Sequence, residues 1–217
     1  MSGAIRRCLT GLALATSAVL AVSCGAAPSS DANGSETPLS SAPASLSEEA
    51  AVVLFDLDDA GEVASWTTVN DPVMGGMSTS RITFGNGGLV FSGNISLENN
   101  GGFASARSPQ DADLGRRATG AKSLRVRALG DGKTYLLKVG IEGQPWSYAQ
   151  RFATEADVQR TYELPIEGFQ PVGMRLDPAP DAPQTVDPSG IDQVSVYILD
   201  KQQGPFELTV TAIDATT

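Results

Sequence analysis

Between residues 51 and 217, apolar side chains recur at every second position in one short run after another. That period belongs to a pleated strand with one covered face, because successive side chains of a strand point to opposite sides of the sheet. In residues 123–128, Leu124, Val126 and Ala128 alternate with Ser123, Arg125 and Arg127. In residues 193–199, Val194, Val196 and Ile198 alternate with Ser195 and Tyr197, and in residues 206–212, Phe206, Leu208, Val210 and Ala212 alternate with Glu207, Thr209 and Thr211. Further strands are expected at 51–57, 80–84, 88–93, 134–141, 147–152 and 159–164. Between the runs lie Asn86-Gly87-Gly88, Asn100-Gly101-Gly102, Gly130-Asp131-Gly132 and Gln203-Gly204-Pro205, which supply the positive φ values of tight turns. Residues 177–189 hold four prolines and read as a long loop, and no long helix is expected. The pattern predicts one all-β domain over residues 51–217, a sandwich of short strands.

The first fifty residues read differently. Arg6 and Arg7 precede an uncharged run at residues 8–22, too short for the roughly 20 residues of a membrane-spanning helix but suited to a cleaved secretory signal. Leu20-Ala21-Val22-Ser23-Cys24 resembles a bacterial lipobox, so residues 1–23 are expected to be a lipoprotein signal peptide. Cys24 would then carry a diacylglyceryl group and fatty acyl chains such as palmitate. Two or more acyl chains give stable membrane residence where one does not. General export is the expected route, the Arg6-Arg7 pair lacking the rest of a twin-arginine pattern. Residues 24–50, rich in Ser, Ala, Pro and Gly, bury too little to offset ordering entropy and are expected to form a disordered tether with a reach of roughly 25–30 Å. The expected location is the extracytoplasmic side of the cell membrane, the lipid on Cys24 providing the contact.

Composition narrows the chemistry. The chain has no histidine, and its two cysteines, Cys8 and Cys24, leave with the signal or are consumed by lipid. Disulfide chemistry, a Ser-His-Asp triad and a His-ligated zinc site are thereby excluded. The formal charge is −10, and the mature chain retains 13 basic against 25 acidic side chains, a net −12. Nucleic acid is therefore not an expected partner. Asp56, Asp58, Asp59 and Gly61 briefly match a calcium loop, but Ala60 and Thr67 occupy positions where an oxygen ligand and a glutamate are required. No metal or cofactor is implied. The sequons at Asn33 and Asn94 carry no weight in a bacterial lipoprotein. A glycosidase-type carboxylate pair is the remaining enzymatic option, and the expectation is a protein that is not an enzyme.

The densest local signal is Trp66 through Ser80, containing Asn70-Asp71-Pro72-Val73-Met74-Gly75-Gly76-Met77-Ser78. It is followed by Asn99-Asn100-Gly101-Gly102-Phe103-Ala104-Ser105-Ala106-Arg107, by Gly130-Asp131-Gly132-Lys133-Thr134-Tyr135, and by Asp200-Lys201-Gln202-Gln203-Gly204-Pro205-Phe206. In these four ordered segments the chain resembles the complex I intermediate-associated protein 30 family, over essentially the whole domain. The resemblance implies a galactose-binding-like β-sandwich of jelly-roll type. It also implies a role like that of mitochondrial relatives, which are assembly factors for respiratory complex I. Those relatives work on the matrix side, however, whereas a lipobox directs this domain outward.

The candidate binding residues are Trp66, Asn70, Asp71, Asn99, Asn100, Arg107, Trp146 and Tyr148. Trp66, Asn70 and Asp71 equally suit a buried tryptophan beside a glycine turn, and Asn99 and Asn100 equally suit local capping. Trp146 and Tyr148 are two apart, which in a strand puts both rings on one face, either in the core or as a stacking platform for sugar. Two functions are expected from this reading. One is a non-enzymatic, membrane-anchored module that assists the assembly or stability of an envelope protein complex; the other is a glycan-binding module for cell-wall or surface polysaccharide.

Overall fold

The computed structural model describes residues 50–217, and the expected signal peptide, Cys24 and nearly all of the expected tether lie outside the described residues. The chain lays down β1 (Ala51–Asp56), α1 (Ala60–Ala64), β2 (Thr67–Asn70), β3 (Thr79–Gly85), β4 (Gly88–Ile95) and β5 (Ala104–Arg107). Next come α2 (Asp113–Ala118), β6 (Ser123–Leu129), β7 (Thr134–Ile141), β8 (Ser147–Ala153) and β9 (Gln159–Pro165). β10 (Gln170–Val172), β11 (Ile191–Ile198) and β12 (Gly204–Thr216) complete it. Two six-stranded sheets result, with all named pairings antiparallel. Sheet I runs β3-β4-β12-β6-β9, with β1 also paired to β12; sheet II runs β10-β8-β7-β11-β5-β2.

The expected strands are present, and β12 is longer than its alternating run because it serves two neighbours on one side. Its first half pairs with β4 and its second half with β1, while β6 lies along the other side. A register shift between Val210 and Ala212 separates the two halves, and the Thr211 carbonyl there accepts the Leu57 N–H at 3.0 Å. The alternation did not reveal β2, β5 and β10, strands of three or four residues. The acidic run is used locally: Asp59 caps α1, accepting the N–H groups of Gly61 at 2.6 Å and Glu62 at 3.1 Å.

Leu124, Val126 and Ala128 of β6 are wholly buried, as are Tyr135, Leu137 and Val139 of β7 and Leu208 and Ile213 of β12. The core between the sheets includes an edge-on Phe91–Phe206 pair at 4.9 Å and Phe152 flanked by Tyr135 and Tyr162 at 6.1 and 5.2 Å. Each such side chain contributes about 1.5–3 kcal/mol of burial free energy. The outward faces differ from one another. On sheet I, Arg127 holds Asp214 at 3.2 Å and Arg125 meets Glu163 at 3.9 Å. On sheet II, Leu136, Ala149 and Tyr197 point outward yet are buried in a second cluster with Phe103, Val172, Leu176 and Leu199. Tyr197, which alternates with the core-facing residues of its run, is thus buried on the outward face.

Candidate binding site

Pro72 fixes its own φ and opens a turn of 3-10 helix at Asp71–Met74, which Gly75 ends in the left-handed region at φ 91°. The turn directs the Asp71 side chain inward, where it is 2% exposed. Its carboxylate accepts four hydrogen bonds: from Ser78 N–H at 2.8 Å, Ser78 Oγ at 2.5 Å, Gly102 N–H at 2.6 Å and Phe103 N–H at 3.2 Å. A Cβ on Gly76 would overlap that carboxylate, and one on Gly101 would meet Asp71 Oδ2 at 2.7 Å, so both glycines are required by close approach. Burial is the strongest single influence on the Asp71 carboxyl and pushes it up. The four donors outweigh burial and hold the group below the usual carboxylate range. Asp71 thus fastens its own segment to the Asn99–Arg107 segment across more than thirty residues of sequence.

The fastened segments wall an open cleft of about 690 Å³ on the outward face of sheet II. Val73 and Met74 come from the first family-like segment, Asn100 to Phe103 and Arg107 from the second, and Asp200 and Lys201 from the last, with the loop Met174–Leu176 opposite. The third such segment is not in the cleft but supports it. Asp131 accepts from Tyr135 Oη at 3.0 Å and from Glu207 N–H at 2.9 Å, while Gln202 spans the Thr134 backbone, accepting at 2.9 Å and donating at 2.6 Å.

Tyr197 lies at the base of the cleft and is only 5% exposed. The Arg107 guanidinium sits 5.5 Å from its ring centre and the Lys138 ammonium 5.9 Å, both in cation–π range. Arg107 Nε also donates to Ser105 Oγ at 3.1 Å. Burial chiefly, and Arg107 in addition, pull the Lys138 ammonium below the usual lysine range. Backbone strain is concentrated here. Seven non-glycine residues have left-handed φ among the described residues, and Asn100 (58°), Leu176 (61°), Asp200 (63°) and Lys201 (58°) line the cleft while Asn99 (54°) adjoins it. A branched leucine at such a φ is costly, which marks the loop as held by its surroundings. The rim is apolar and open, with Val73, Met74 and Met174 exposed to 71%, 61% and 91%.

Of the residues singled out from sequence, Asp71, Asn100 and Arg107 meet in the cleft. Asn99 is exposed beside it, and Asn70 turns to β3, its carboxamide 2.6 Å from Ser80 Oγ. Trp66 is buried against Phe55 with ring centres 5.2 Å apart. Of the two readings of Trp146 and Tyr148, packing in the core is the one the fold takes, not a stacking platform. Tyr148 pairs with Val139 of β7, a core-facing position, and is 2% exposed with Oη donating to the Pro183 carbonyl at 2.9 Å; Trp146 precedes the strand and packs against the core. Sequence reasoning missed Tyr197, Lys138 and the Met174–Leu176 loop as site residues. Tyr197 had a usable signal, an aromatic at the outward position of an alternating run; the loop had none.

A family 11 carbohydrate-binding module of the cellulosomal cellulase Lic26A-Cel5E of Clostridium thermocellum has a similar fold. It is 14% identical, with TM-score 0.54, over 79% of this chain and 97% of that one. A family 11 carbohydrate-binding module from Clostridium thermocellum in complex with a β-1,3-1,4-mixed-linked tetrasaccharide is likewise 14% identical, with TM-score 0.51 over 76% and 95%. Both likenesses are of fold, and with the two antiparallel sheets they show an all-β sandwich of jelly-roll type. No curated protein matches the chain significantly. The family model of complex I intermediate-associated protein 30 matches residues 55–210, most of the chain and nearly all of the sandwich, and the chain belongs to that family.

Proposed function

We propose that the chain is a non-enzymatic interaction module, held on the extracytoplasmic side of the membrane by lipid on Cys24, and that its cleft over Tyr197 binds envelope polysaccharide. The observation that carries this reading is convergence: three of the four segments that bear the family resemblance wall one cleft, and the fourth braces it. Its volume falls within the 300–1,000 Å³ typical of ligand sites, and its strained walls are those of a preformed concavity. The two family 11 modules are named as carbohydrate binders, which fits the proposal at the level of fold. A second reading, assistance to assembly of an envelope protein complex, is favoured by the exposed lip of Val73, Met74 and Met174 and by the family's name.

The test is affinity electrophoresis of the full chain in detergent against neutral and acidic polysaccharides, run beside crosslinking in cells with a Cys24→Ser control. Retardation by a polysaccharide, lost in Arg107→Ala at unchanged melting temperature, supports glycan binding. No retardation by any polysaccharide, with one reproducible crosslinked protein that depends on Met74 and Met174, would replace it with the assembly reading. Cys24→Ser is expected to release the protein from the membrane fraction, and retention there would remove the lipid-anchor part of the proposal.

A further inference from the structure

The charges around the cleft are unbalanced in a direction opposite to that of the chain. The sequence carries a net −10, yet Arg107, Arg175 and Lys201 line the cleft and Lys138 stands against its base. Among the described residues, none of these four forms an ion pair within 4 Å, nor do Arg81, Lys122 and Lys133 elsewhere, whereas Arg116, Arg117, Arg125, Arg127, Arg151 and Arg160 do; the cleft is where unpaired cations gather. The two carboxylates lining the cleft are already occupied. Asp71 is consumed by its four donors, and Asp200 is gripped by Arg151 through two bonds of 2.7 and 2.8 Å, which hold its carboxyl below the usual range. What remains open is cationic.

We propose that the cleft over Tyr197 receives an acidic polysaccharide, whose anionic substituents seat on Arg107, Arg175 and Lys201 while sugar C–H faces rest on Met174 and Leu199. The inference rests on the glycan reading above and names its ligand class. Guanidinium groups grip planar carboxylates and tetrahedral anions through paired N–H donors, and an anion beside Arg107 would also offset its repulsion with Lys138. An acidic peptide suits the cleft less well. The cleft's base strand, β11, is already paired on both sides by β5 and β7, so an extended peptide lying over that base finds no free ladder there for its backbone. A sugar chain needs no such ladder.

The experiment titrates the full chain in detergent with polygalacturonate, with mixed-linked β-glucan as the neutral probe and poly-L-glutamate as the acidic non-sugar probe. Polygalacturonate is expected to bind best and to weaken about tenfold between 0.05 and 0.5 M salt as the Debye length shrinks. Arg107→Gln and Lys201→Gln are each expected to cost about tenfold with melting temperature unchanged. Equal or better binding of the neutral glucan would overturn the acidic assignment and leave glycan binding standing. Equal binding of poly-L-glutamate would overturn the sugar assignment. Binding of none of the three, by a protein that melts cooperatively, would overturn both the acidic assignment and the glycan reading.

Discussion

The outward faces of the two sheets are built from the same alternation but spend it differently. Across β6, β9 and β12 of sheet I, arginines meet carboxylates along neighbouring strands, Arg127 with Asp214 and Arg125 with Glu163. Across β5, β7 and β11 of sheet II, Arg107 and Lys138 crowd one tyrosine ring without a carboxylate between them, under loops held in left-handed backbone. Matched charge serves the fold, and unmatched charge beside strain is what the proposed binding face is built from.

The largest effect separating the two faces is expected at Asp71, whose loss leaves four donors without their acceptor. Asp71→Ala should cost about 3 kcal/mol or more of stability and open the cleft wall, with Asp71→Asn costing less, as read by denaturant titration. A small effect of Asp71→Ala would show that the two segments hold together without it. Next comes a paired test of the faces themselves. Arg127→Ala should cost about 1–2 kcal/mol because Asp214 stays buried and unpaired, without touching ligand binding. Arg107→Ala should stay within about 0.5 kcal/mol of wild type while binding falls. Reversal of that order would erase the comparison.

Acid should affect the site side through Asp71. Its folded pKa lies below its unfolded one, so the unfolded chain binds the proton more readily in the window between them. The Asp71 contribution is therefore present above the unfolded pKa, near 3.9, and is lost as pH falls through the lower folded value; Asp71→Asn should flatten that part of the stability curve. The smallest effect is expected at Lys138. Its lowered pKa means that folding disfavours its charge at neutral pH, so Lys138→Met should raise stability by about 0.5 kcal/mol, visible as a slightly higher melting temperature.

Strands carried by side-chain alternation were readable from sequence because burial on one face imposes it, as in β6 and β12. β2, β5 and β10 were not, since three or four residues hold too few periods, and β5 is masked by the small residues Ala104, Ser105 and Ala106. At the site, the glycine turn and Arg107 were legible as chemistry, but the inward turn of Asp71 depends on partners thirty residues away. The pair Trp146 and Tyr148 was legible only as sharing a face. Which face was set by the register of β8 on β7, a long-range property that spacing alone does not carry.

Strand β12 follows every other described strand in the chain and lies at the centre of sheet I, so β1, β4 and β6 each lack a neighbour until Gly204–Thr216 is in place. Vectorial delivery of the chain therefore cannot build the sandwich progressively from its N-terminal end. The β3–β4 and β6–β9 pairs can form without it, but sheet I joins into one layer only when residues 204–216 pair on both sides, so its closure depends on contacts far apart in sequence.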